Sequence, residues 1–403
     1  MQTAAAPTIE QIRSHFPALC GDAVYLENAG GSQVPACVAD AVRDYMLTSY
    51  VQTGAGYPAS RRATSTVEAA REFLGLFMNS IDGRVIIGPS SSQLCKHLAD
   101  AYAAVLSPGD EIVIGQTGHE ANAGPWYRLA DRGFTIKTWE VCLDTHTLNI
   151  ETLGTLLTER TRIVAFPQTS NLLGDIVDVR GAADLAHTVG ARVVVDGVAF
   201  APHRAIDVSA WDADWYVYST YKVFGPHMAA MYAKGDALAE LRGPGHFFLP
   251  EPARWELGCI SHEACAGVLA LSGYLAFLAG AQDLGRKEIE EAWRLMAGLE
   301  APVQRRLMDY LLQKEGVRLF GPRTTDESRV GIVSFTSSKT APRDIVEATD
   351  RANIGIRYGH MYAYRLCEAL DLDPSSGVVR VSLAHYNTES EIERLANVLE
   401  HVL

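Results

Sequence analysis

The 403-residue sequence contains no C-x-x-C pair, and its seven cysteines (Cys20, Cys37, Cys95, Cys142, Cys259, Cys265, Cys367) are scattered and odd in number. That spacing argues against a disulfide framework or a zinc site, so no metal is expected; it fits reduced thiols in the cytoplasm. Positive charge is in deficit too, with Lys+Arg 35 against Asp+Glu 48 and a net charge of −13. No basic run is interleaved with aromatics, so nucleic acid is not an expected partner. No apolar run is expected to span a bilayer, and the opening MQTAAAPTIEQIRSHF has no signal-peptide hydrophobic region. Repeats, low-complexity tracts and long linkers are absent as well. What remains is an ordinary globular composition, 48% hydrophobic and 21% charged, long enough for a large core and more than one domain.

Hydrophobic periodicity gives the organisation. Thr8 and Gln11 make a capping box for a first helix, IEQIRSHF, and a second helix is expected from Val34 to about Tyr50. Helical spacing returns over Thr66–Met78 and Gln93–Leu106. Strands and helices then alternate: strands at Glu111–Gly115, Gly133–Thr138, Arg162–Phe166 and Arg192–Val195, with a helix over Arg180–Val189. That alternation predicts a doubly wound, mainly parallel α/β sheet. Beyond Ala264 the pattern changes to long helices over Ala266–Ala279 and Arg286–Lys314. Strands follow at Val317–Phe320, Gly331–Thr336 and Val378–Leu383, with a last helix at Glu389–Val402.

The chemistry concentrates in residues 191–234. An apolar run, Val193–Val195, ends on Asp196; a second, Trp215–Tyr218, ends in Ser219-Thr220-Tyr221-Lys222 and is closed by Gly225-Pro226. Two buried strands thus present a carboxylate and an amine at a sheet edge, where open α/β sheets bind ligands. Such a lysine can condense with an aldehyde cofactor, and such an aspartate can keep a pyridine nitrogen protonated. The same two residues also read as a solvated loop lysine and a helix cap. Gly88-Pro89-Ser90-Ser91-Ser92 lies between an apolar strand and a helix, where hydroxyls and backbone N–H groups can cradle an anion or simply cap the helix. Strand alternation places Arg380 and Ser382 on one face and Val379, Val381 and Leu383 on the other.

Taken in order, Asp196-Gly197, Pro202-His203, Asp207-Val208, Asp214, Ser219, Lys222 and Gly225-Pro226 resemble the signature of class V aminotransferases and cysteine desulfurases. These are pyridoxal 5'-phosphate (PLP) enzymes of fold-type I, and the likeness covers nearly the whole chain. It implies a large PLP-binding domain over residues 21–263 with a mainly parallel, seven-stranded-type sheet. It further implies a smaller α+β domain over 264–403, with an N-terminal helix, residues 1–20, packed against it. Lys222 would carry the cofactor and Asp196 would pair with its ring nitrogen. His119, in Gly118-His119-Glu120-Ala121-Asn122-Ala123-Gly124-Pro125-Trp126, would lie over the ring. Ser91, Ser92 and Ser219 would hold the phosphate, with Ser90 the neighbouring register. Asn171, in a loop like the family's Ser-Asn…Gly, would meet the phenolic oxygen, and His203 would join the cofactor residues. Arg380, in an Arg-x-Ser…Tyr-Asn-Thr segment, would fork onto the substrate α-carboxylate, a task suited to guanidinium geometry. Asn28 and Ala29 match the N-terminal substrate loop. A homodimer follows from the same resemblance, with residues 50–62 and 255–262 near its two-fold.

The pattern also departs from the family. After Arg357-Tyr358-Gly359-His360-Met361, Tyr362 stands where cysteine desulfurases carry the cysteine that takes sulfur as a persulfide, and Tyr362 becomes a candidate substrate contact. Cys367, five residues on, reads as a buried thiol on a helix. Ala199 replaces a cofactor-binding glutamine, Cys259 replaces a threonine after Glu256-Leu257-Gly258, and Tyr221 replaces the histidine before the lysine. Tyr221 could shield the amine, act as acid or base, or simply pack. These departures resemble the branch lacking the loop cysteine, which includes isopenicillin-epimerase-like proteins and C–S lyases of natural-product pathways such as lincosamide biosynthesis. The expected activity is β-elimination from a cysteine S-conjugate. A decarboxylation-dependent oxidative deaminase or aminotransferase on the same small amino-acid substrate, or a non-catalytic sulfur-relay scaffold, are the alternatives.

Overall fold

The computed structural model describes residues 6–403, and the chain packs as two compact units. The first holds the described residues through Cys20, Ser32–Val105 and Arg204–Leu295; the second holds Gly21–Gly31, Leu106–His203 and Met296–Leu403. The boundaries expected after residues 20 and 263 describe a different division and remain expectations; the first five residues of that opening segment lie outside the described residues.

In the first unit, the strand Ala229–Lys234 pairs antiparallel with Gly83–Gly88 on one side and Trp215–Ser219 on the other. The outer two therefore run the same way, and Ala229 faces both Gly88 and Ser219. Two chain ends that bear hydroxyls thus leave the same edge. The helix Ser91–Val105 follows the first, and the short turn Thr220–Lys222 follows the second. The helix Pro58–Met78 begins two turns before the expected Thr66. Pro58 presets its first turn, and Ser60 and Ala63, which it buries there, are too small to print an apolar stripe. Asn79 ends it in the left-handed region, at φ 54°. The first helix, Ile9–Ser14, has the expected capping box, and His15 and Phe16 after it meet the rings of Phe277 and Tyr274.

The expectation that no apolar run could span a bilayer is corrected here. The helix His262–Ala279 is long and apolar enough to do so by length and composition. It is half buried, and it packs on Ala36–Thr48 and Pro58–Met78, with Gly267 admitting Val38 and Val42. Its apolarity is accounted for by that packing.

The second unit holds four parallel strands in the order Arg192–Asp196, Thr161–Pro167, Glu111–Gly115, Thr135–Trp139. The first three are buried along nearly their whole length, which is why they read as unbroken runs of Val, Ile and Ala instead of alternating. Asp196 ends the first, Asn171 follows the second by four residues, and His119 follows the third by four. All three therefore leave the carboxyl ends of parallel strands, where such sheets bind ligands. A second, antiparallel sheet orders Val317–Phe320, Ile332–Ser337, Val378–Ser382 and Arg357–Gly359. Its core joins Phe335, Val379 and Val381 to Leu307 and Leu311 of the helix Arg286–Leu312 and to Leu395 of Glu389–Leu399. Val24–Tyr25 pairs in parallel with Ile354–Gly355, which brings Asn28 and Ala29 to this sheet.

Candidate active site

The lysine turn of the first unit is pinned at both ends. Thr220 Oγ1 donates to the Pro226 carbonyl at 2.5 Å, and Ser32 accepts from the Phe224 N–H at 2.9 Å while its own N–H donates to the Tyr221 carbonyl at 3.2 Å. Lys222 is held buried there, 8% exposed. The Tyr221 ring stacks on His227, centroids 4.7 Å apart and 10° from parallel, and the Lys222 ammonium lies 5.9 Å from the same ring. Ser219 Oγ donates to Ser91 Oγ at 3.0 Å, at the start of a fifteen-residue helix. Ser90 accepts from the Gln93 N–H at 3.2 Å and is therefore the cap, while Ser92 is exposed. A buried amine and two paired hydroxyls at a helix N-terminus fit a phosphorylated aldehyde.

The second unit gathers the remaining candidates. Asp196 is buried, and its Oδ1 accepts from the Val198 N–H at 3.0 Å. His119 caps the helix Glu120–Tyr127: Nδ1 accepts from the Ala121 N–H at 3.0 Å, which puts a neutral ring's proton on Nε2. Asn171 donates from Nδ2 to the Met361 carbonyl at 2.7 Å, and its Oδ1 is buried with no hydrogen-bond partner among the described residues. Its own carbonyl accepts from Arg380 Nη1 at 3.0 Å.

Arg380 is 3% exposed, and its Nε is buried with no hydrogen-bond partner among the described residues. Burial pulls its pKa down to about 10, Glu27 opposes the shift, and Arg357, its cross-strand neighbour, adds to it. Glu27 was not singled out by sequence. It contacts Arg357 at 2.5 Å and lies 4.0 Å from Arg380, and the only cue was its place just before Asn28. A buried guanidinium with a donor to spare fits a carboxylate.

Three residues assigned to ligands are engaged within the protein. Asn28 donates to the Ser382 carbonyl at 2.9 Å and accepts from the Tyr386 hydroxyl, and the Ala29 N–H donates to Ser382 Oγ at 2.9 Å. His203 pairs in the interior with Glu300, Nδ1 to Oε2 2.7 Å, and Glu300 in turn accepts from the Gly331 N–H at 2.8 Å. Ala199, at the glutamine position, packs in a small apolar cluster with Ala29, Val330 and Ile332. Tyr362, at the persulfide position, is 65% exposed and stacks on His119, centroids 5.1 Å apart at 29°. Cys367 is on the helix Tyr364–Ala369, fully buried among Leu173, Phe320 and Leu366, and burial pushes its thiol up to about 11. Among the described residues no cluster of acids, histidines and cysteines could hold a metal.

Compared with known proteins, residues 24–395 match the family model for class-V aminotransferase. The aminotransferase-like protein FGM3 of Gibberella zeae is 37% identical over 98% of each chain. The cysteine desulfurase-like protein ustD of Aspergillus flavus is 30% identical over 98% of this chain and 90% of its own. Among solved structures, the cysteine desulfurase CsdA of Escherichia coli superposes with a TM-score of 0.84 at 26% identity, covering 98% of both chains.

Proposed function

Because the chain belongs to the class-V aminotransferase family and is a pyridoxal-phosphate-dependent enzyme, we propose that it breaks the carbon–sulfur bond of a cysteine S-conjugate by β-elimination. The observation that carries this reading is the loop at residues 360–362. Relatives named cysteine desulfurases share the scaffold, yet here a tyrosine stacked on His119 replaces the sulfur-accepting cysteine. The nearest following cysteine, Cys367, is sealed in an apolar cluster. Sulfur then leaves with its substituent as a thiol.

The cofactor, when bound, supplies an electron-poor ring that holds the electron pair left behind as the α-proton departs. Lys222 Nζ takes that proton. By the family resemblance, Asp196 would keep the ring nitrogen protonated, Ser91 and Ser219 would hold the phosphate, and His119 and Asn171 would address the ring. Arg380 binds the α-carboxylate and so fixes which α-bond breaks. The C–S electron pair leaves with sulfur, which gains a proton, and the released enamine takes up water. One S-conjugate and one water give one thiol, one pyruvate and one ammonium.

The test is to incubate the PLP-loaded protein with S-alkyl cysteines and quantify products. Thiol, pyruvate and ammonia in equal amounts are expected, and Lys222→Ala should form none. Carbon dioxide with a sulfur-bearing aldehyde would replace the reading with decarboxylating deamination. An intact C–S bond in a keto acid would replace it with transamination, and no turnover at all would favour the scaffold. A homodimer belongs to the same proposal. It is supported by Tyr50, Tyr57, Phe247, Phe248 and Leu257, large apolar side chains exposed on the first unit.

A further inference from the structure

We propose that Tyr362 is a positioning residue for His119, and that the loop at residues 360–362 is a fixed brace for the ring-contacting side chains. The inference deepens the function proposed above and rests on its placement of His119 at the cofactor. Tyr362 touches the histidine segment twice. Its ring covers one face of the imidazole, 5.1 Å between centroids at 29°, and its carbonyl accepts from the Glu120 N–H at 2.8 Å. Glu120 is the first residue of the helix that His119 caps, so one residue braces both the side chain and the backbone that carries it.

The loop is held in turn. Met361 and Tyr362 both adopt left-handed backbone, φ 49° and 60°, which non-glycine residues keep only when their surroundings impose it. Here the Tyr362 N–H donates to His360 Nδ1 at 3.0 Å, and the Met361 carbonyl accepts from Asn171 at 2.7 Å. Asn171 is held through its carbonyl by Arg380. Arg380, Asn171, Met361, Tyr362 and His119 thus form one unbroken series of contacts. With Nδ1 bound to the Ala121 N–H and one face stacked on Tyr362, the imidazole is held at both an edge and a face.

The experiment compares Tyr362→Phe with Tyr362→Leu by two readouts. In cofactor-free protein, NMR of the His119 ring protons should show an upfield ring-current shift in the unmodified protein and in Y362F, lost in Y362L. In loaded enzyme, Y362L should lose up to about tenfold in kcat, the worth of one aromatic pair, with KM changed little, and Y362F should restore the rate. A missing shift in the unmodified protein, full rate in Y362L, or Y362F as slow as Y362L would each overturn the proposal, the last by assigning the work to the hydroxyl. The NMR result is independent of the product formed. A failure of the elimination reading therefore leaves it intact and is told apart from it.

Discussion

Ser219 Oγ donates to Ser91 Oγ at 3.0 Å, though the two lie 128 residues apart. Strand register explains the meeting, because Ala229 faces both Gly88 and Ser219 and the two flanking strands leave the same edge. Ser219→Ala and Ser91→Ala should each weaken PLP by about ten- to hundredfold, since a hydrogen bond to a charged group contributes about 1.5–3 kcal/mol. The check is titration of cofactor-free protein. Ser90→Ala should instead cost about 1 kcal/mol of stability, the price of a lost N-cap. Equal cofactor affinity in all three variants would refute the assignment.

Arg380→Lys should reduce kcat/KM by about two orders of magnitude, mainly through KM. Lysine keeps the charge but loses the fork that meets both carboxylate oxygens. Steady-state kinetics with an amino acid and with its decarboxylated amine separate the roles. The variant should lose its preference for the acid, and a preference left unchanged would remove Arg380 from substrate recognition.

Most of the parallel strands were legible because burial on both faces writes continuous apolar runs, as at Val193–Val195 and Ile112–Ile114. The Thr8–Gln11 and Thr388–Glu391 capping boxes each open a helix. The first two turns of Pro58–Met78 were not legible, since Ser60 and Ala63 bury without being large. Among the candidate residues, Lys222 and Asp196 stood out because each ends a buried apolar run, where a charge is costly unless used, and Arg380 because its segment resembles a family motif. Glu27 did not, because its meaning depends on Arg357 and Arg380, residues over three hundred positions away. The engagement of His203 with Glu300 was hidden for the same reason: no periodicity links a turn histidine to a distant helix.

Five of the seven cysteines should fall into two reactivity groups under native conditions. Cys20 and Cys259 are exposed, and hydrogen bonds from Thr145 hold the Cys142 thiol below its ordinary range. Burial pushes Cys265 up to about 12 and Cys367 to about 11. At pH 8 the first three should react quickly with an aromatic disulfide reagent, and Cys265 and Cys367 only on unfolding. Peptide mapping of the fast adducts identifies them. Rapid labelling of Cys367 would reopen the persulfide route.

Asp175 sets a pH dependence of stability. It is fully enclosed, and desolvation pushes its carboxyl up to about 7, against the pull of the Ser170 N–H and the charge of Arg329. Its folded pKa lies above its unfolded one, so the folded chain holds a proton that the unfolded chain releases between about pH 4 and 7. Its contribution is therefore complete below that window and is lost as pH rises through it, by up to about 1.4 kcal/mol per pH unit. Asp175→Asn keeps the shape and removes the titration. Thermal unfolding from pH 4.5 to 7.5 should show the variant gaining on the parent as pH rises. Because Ser170 precedes Asn171, the parent's affinity for PLP should weaken over the same interval. Parallel stability curves would mean that Arg329, whose guanidinium also reaches the Ile332 carbonyl at 2.5 Å, keeps Asp175 ionised throughout.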